Sequence, residues 1–146
     1  MAQGTLTTFT EAKLHMSDGT YELATVDDWS VMLITTLPVV GQAAPDTGLY
    51  TEVSGDNYSA DGQAMVTTLS ADGLEMVFDC TADITWTEHA TGPDNVVAAL
   101  IYSETAVATN ALAFIDMTQD AGGNPISFRE GKDVLIKWAD TGILRY

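Results

Sequence analysis

The sequence predicts an all-β protein, an antiparallel sandwich or barrel preceded by one short helix. Three observations lead there. β-Branched and apolar runs recur every 8–12 residues or so. The spacers between them are turn formers, "TGPDN", "AGGNP", "REGK" and "ADTG". And strands do not alternate with helical patterns, which argues against a parallel sheet. At 146 residues, 46% of them hydrophobic, the chain suits one domain over 1–146 with a sizeable core.

The helix comes first. "TFTE", residues 8–11, matches a capping box, with Thr8 as cap and Glu11 reaching back. The helix is then expected to run through "EAKLHM" and stop at "SDG", where Gly19 supplies a left-handed exit. Residues 1–19 therefore form an N-terminal segment and helix, and 29–146 the strands. "WSVMLITT" (29–36) is the first strand, ended by Leu37 and Pro38. "AMVTTL" (64–69) and "LEMVFD" (74–79) flank Ala71, Asp72 and Gly73, a hairpin signal. "ITW" (84–86), "NVVAALIYS" (95–103), "ALAFIDMT" (111–118), "ISF" (126–128), "DVLIKWA" (133–139) and "GILRY" (142–146) follow. The run at 95–103 is apolar throughout, which places it centrally, buried on both faces. In 133–139, Val134, Ile136 and Trp138 share one face.

Charge narrows the function classes. Five basic residues face 21 acidic ones, a net charge of −16. Nucleic-acid binding needs Lys and Arg to neutralise phosphates, and an anionic membrane surface needs them equally, so neither is expected as a partner. Arg129, Lys132, Lys137 and Arg145 lie in the last 18 positions. A basic C-terminal edge on an acidic body suits a contact with a second copy or an acidic neighbour, or protects a strand edge. The lone Cys80 rules out an internal disulfide framework and is expected to pack as a small apolar residue. The N-terminus lacks the basic start and apolar stretch of a secretory signal. No apolar run is long enough for a membrane helix, so a soluble product of a reducing cytoplasm is expected.

Chemistry is sparse. "YTEVSGDNYSADG", residues 50–62, places Glu52, Asp56 and Asp61 among glycines, the only candidate for a calcium loop. Started at Asp56, an EF-hand frame puts Tyr58, Ala60 and Asp61 where two oxygen donors and a glycine belong. The loop reads better as a turn that sets strand register, its acids facing solvent. "NYS" at 57–59 fits a glycosylation sequon, which has no meaning without secretion. His15 and His89 are isolated, and no nucleophile elbow, phosphate loop or metalloprotease helix occurs. No enzyme and no cofactor are expected. Trp29 and Trp138 lie within strand patterns and read as core. Trp86, at a strand end, and His89 are the loop-side candidates for a partner contact.

In order, the segments "FTEAKLHMSDGTYEL…DDWSVMLITT", "YTEVSGDNYSADG", "ITWTEHATGPDNVVAALIYSE", "ALAFIDMTQD" and "ISFREGKDVLIKWADTGIL" resemble small structural proteins of tailed bacteriophages. The pattern extends from about residue 8 to 146 and is most similar to jelly-roll-type head decoration, or cement, proteins. That resemblance implies a jelly-roll-like β-sandwich without catalytic residues, made in the host cytoplasm and carried on the capsid exterior. It implies the major capsid protein and further copies of itself, as homodimer or homotrimer, as partners. Glu52, Val53, Ser54, Gly55 and Tyr58 carry the motif as fold determinants. The alternatives are a tail- or fibre-associated virion protein, or a carbohydrate- or calcium-binding sandwich using the 52–61 loop and Trp86. A glycan-cleaving enzyme has the least support.

Overall fold

The longest apolar runs build one sheet. In the computed structural model, which describes residues 6–21, 23, 28–106, 109–138 and 142–145, this sheet has five strands. They are β1 (Leu6–Thr8), β2 (Trp29–Ile34), β3 (Gln63–Ala64), β7 (Ala98–Ser103) and β8 (Ala111–Asp116), in the order β1-β8-β7-β2-β3. Every residue of β2 and β7 is buried, as an unbroken apolar strand requires when both of its faces are covered. The central position expected for 95–103 is where β7 lies. Between β7 and β8 the register slips, Ile101 facing Ala113 and Tyr102 facing Ala111, so Leu112 is the extra residue of a bulge.

A second sheet holds β4 (Thr67–Asp72), β5 (Glu75–Cys80) and β10 (Leu144–Arg145), ordered β10-β5-β4, and a third pairs β6 (Ile84–Trp86) with β9 (Val134–Ile136). All ladders among the described residues are antiparallel. The expected hairpin forms with a two-residue turn at Gly73 and Leu74, Asp72 opposite Glu75 and Gly73 at φ 64°. Glycine at the first turn position suits the right-handed twist of the flanking strands.

One apolar cluster joins the three sheets. Trp29 of β2 meets Phe78 of β5 edge to face at 5.7 Å, and Tyr21 meets Trp29 at 5.6 Å, an arrangement that adds stability beyond area burial. Cys80 is buried in this cluster. The protein is thus an all-β antiparallel sandwich with a short N-terminal helix, its strands divided five, three and two among the described residues.

The helix, α1 (Thr10–Asp18), ends as expected at Gly19, φ 81°. Its start is a correction. Thr8 is a β1 residue and Phe9 holds the cap position without a side-chain cap bond. The helix's first donors find tertiary acceptors instead: Phe9 N–H bonds the bulge carbonyl of Leu112 (3.1 Å) and Thr10 N–H the carbonyl of Val40 (3.0 Å). Glu11, freed of the capping role, accepts from Ala44 N–H at 2.6 Å. Phe9, fully buried against Phe114, decides the entry angle.

Two further expectations change. "ISF" is no strand: Ile126 bridges Val96 alone, and Phe128 turns inward, its backbone bonded to Pro93 and His89. Val134 and Ile136 are buried and Leu135 half-buried, so the alternation of that strand holds, with Ala139 outside the described residues. The last strand is confined to Leu144–Arg145, and Tyr146 again lies outside them.

Candidate functional site

The 50–62 loop is an excursion from the edge of β2. Its first limb pairs with the end of that strand: Thr35 N–H bonds Thr51 O and Val53 N–H bonds Leu33 O, both 3.0 Å. The two residues that follow it form β3, opposite Ser30 and Val31. Between these anchors the chain bulges outward, which strips Leu33 N–H of a backbone acceptor. The Tyr58 hydroxyl takes that place, accepting from Leu33 N–H at 2.9 Å and donating to Glu52 Oε1 at 2.6 Å. Burial, then the Glu52 carboxylate, holds the Tyr58 phenol far above its usual range. Tyr102 donates to the Asp61 carbonyl at 2.7 Å. Its phenol is pushed up to about 12 by burial, with the carboxylates of Glu104, Asp61 and Glu52 adding to the effect.

Two glycines permit this folding. A Cβ on Gly62, φ 74°, would stand 1.9 Å from the Val31 carbonyl oxygen, and one on Gly55, φ 152°, 2.7 Å from Pro93 N. Both positions demand close backbone approach as well as a left-handed conformation.

The loop also grips residues 87–94. Asp56 N–H bonds Thr91 O at 3.3 Å, and the Thr91 hydroxyl donates to the Asp56 carboxylate. His89 Nδ1 lies 2.9 Å from Thr91 Oγ1 and 3.6 Å from Asp56 Oδ2. A hydroxyl–imidazole–carboxylate relay needs the two ring nitrogens to serve different partners. Here Nδ1 alone faces both groups, so the trio ties two loops together rather than activating a nucleophile.

Of the calcium candidates, Glu52 accepts from Tyr58, Asp56 accepts from Thr91 and faces His89, and Asp61 gives its backbone carbonyl to Tyr102. Among the described residues no group of three or more His, Cys, Asp or Glu side chains is placed to hold a metal ion.

The contact candidates scatter. Trp86 is a correction: only 2% exposed, it stacks on Tyr58 with centroids 6.3 Å apart, because β6–β9 pairing turns it into the core. It offers no outward platform. Trp29 is core, as expected, while Trp138 is half-buried and donates to Ala82 O at 3.0 Å. The basic edge is a correction too. Arg129 is tied to Asp94 (2.8 Å) and the Gly92 carbonyl (2.7 Å). Arg145 bridges Asp72 (3.0 Å) and Glu75 (2.9 Å) on the hairpin, and both carboxylates raise its pKa. It also lines, with Lys13, Met16 and Leu144, a concavity of about 410 Å³ between α1 and β10. Lys132 and Lys137 are exposed. Lys137 follows β9 and Arg145 lies in β10, strands that belong to different sheets.

Sequence reasoning missed Leu74. It is fully exposed at the hairpin turn, and an apolar residue at the turn of "ADGLE" was the available signal. No helix among the described residues is long and apolar enough to cross a membrane. No protein-family model, curated protein or solved structure matches the chain.

Proposed function

We propose that the protein is a tailed-phage head decoration protein that binds the outside of the capsid and stabilises contacts between capsid subunits. The sequence resemblance motivates this reading, and one structural observation supports it: the β4–β5 hairpin is an arm. From Ser70 to Met76 every residue is exposed, so the outer half packs on its own molecule with neither face. Leu74 at its turn is wholly exposed and Met76 is 39% exposed. A free two-stranded ribbon is marginal in water, and Arg145, bonded to a carboxylate on each strand, braces this one. Exposed apolar side chains gathered on a projecting element mark a contact surface.

A second exposed apolar set, Leu37, Val39, Val40 and Leu49, lies on the segment joined to α1 through Thr10 and Glu11. Two contact surfaces on one molecule let it engage neighbouring subunits at once, and the second contact gains from high effective concentration. With a net charge of −16, the body would meet neutral or basic capsid surface, since like charges facing each other oppose association.

The test is addition of purified protein to heads that lack it, with bound protein measured after sedimentation. Wild type should saturate the heads. Leu74→Asp should bind at least about tenfold more weakly, as loss of a buried anchor does, while melting at the wild-type temperature. Equal binding by the variant, or binding to tails alone, would sink the proposal.

A further inference from the structure

A polar cleft of about 400 Å³ opens where the 57–59 turn meets β6. Tyr58 and the buried Trp86, stacked with an interplanar angle of 30°, back it. Around them stand the amides of Asn57 and Gln63 and the hydroxyls of Ser59, Thr85 and Thr87. The lining holds no Asp, Glu, Lys, Arg or His, in a chain that carries 21 acids. It is a neutral island on an acidic protein.

The lining is also held in place. Asn57 Nδ2 donates to the carbonyls of Thr87 (3.3 Å) and Glu88 (3.1 Å), and Gln63 Nε2 donates to Thr85 O at 2.9 Å. Committing the NH₂ groups to backbone fixes both amides and leaves their oxygens as acceptors, while the three hydroxyls can donate or accept. Polar groups locked by their own supporting bonds are what a preorganised site requires. The Trp86 indole N–H is buried with no partner among the described residues, where a buried indole usually has one.

We infer that this cleft binds a neutral saccharide. A sugar ring offers hydroxyls that both donate and accept, which matches the amide oxygens and hydroxyls of this lining. Phosphate or carboxylate ligands call for Arg or Lys, which the lining lacks, and a divalent cation calls for carboxylates. The volume falls within the range of small-ligand sites and suits a mono- or disaccharide. This inference does not depend on the decoration reading, and its test uses no phage particles.

Saturation-transfer NMR on the full chain, with glucose, galactose, mannose and N-acetylglucosamine each at about 10 mM, tests it, since weak sites have Kd near about 1 mM. Glucuronate is the charged control. At least one neutral sugar should receive saturation and shift the Trp86 indole N–H resonance. Thr85→Val and Ser59→Ala should each weaken that binding roughly tenfold, the worth of a hydrogen bond or two, with unchanged melting. Silence from all four sugars, equal binding of glucuronate, or full binding by both variants would overturn the inference.

Discussion

Tyr58 shows how a single hydroxyl can hold a loop to a sheet. It replaces the backbone acceptor that Leu33 N–H loses when the 54–62 segment leaves β2, and its own hydroxyl donates a hydrogen bond to Glu52. Tyr58→Phe leaves a strand N–H unpaired in a half-buried place, so about 1–3 kcal/mol of stability should disappear, measurable as a lower urea midpoint at pH 7. Titration gives a second check. The Tyr58 and Tyr102 phenols have folded-state pKa values raised above the unfolded value of 10.0, Tyr102 to about 12. Above pH 10 the unfolded chain releases phenol protons that the folded protein still keeps, so stability falls with rising pH. It should be level with respect to these groups below pH 9 or so and decline between roughly pH 10 and 12, less steeply in Tyr58→Phe. Gly62→Ala is the severest substitution expected at this scale. Its Cβ would meet the Val31 carbonyl at 1.9 Å in backbone that alanine rarely adopts, and a cost above about 4 kcal/mol should leave the chain largely unfolded by circular dichroism.

The elements divide by how local their causes are. β2, β7 and β8 were legible because an unbroken apolar run needs no information beyond itself to demand a buried strand. The β4–β5 hairpin was legible through Gly73, and the exit of α1 through Gly19. The start of α1 was not, because Phe9 and Thr10 satisfy their N–H groups on Leu112 and Val40, partners distant in the chain. The depth of Trp86 is hidden from the sequence for a similar reason. Its depth depends on β6 pairing with β9, some fifty positions on, and on Tyr58 packing over it. Glycine and asparagine mark the 50–62 loop as a turn, but its grip on residues 87–94 rests on Gly55 meeting Pro93. The arm belongs to this scale as well. Because residues 70–76 are exposed, Leu74→Asp should leave stability within about 0.5 kcal/mol of wild type, whereas Arg145→Ala should loosen the arm, read as faster amide exchange at Asp72 and Glu75.

At the scale of the whole molecule, charge and shape act together. A net charge of −16 spread on a small sandwich opposes compaction and self-association through repulsion that salt screens. The melting temperature should therefore rise between about 0.01 and 0.5 M sodium chloride, over which the screening length shrinks severalfold. The exposed apolar arm is the surface that we propose meets protein partners. Cryo-electron microscopy of the phage particle proposed to carry this chain tests that reading most directly. The expected map places the sandwich on the head exterior, with residues 70–76 buried between neighbouring capsid subunits. A map that finds the protein on the tail, or on the head with the hairpin free in solvent, would contradict it.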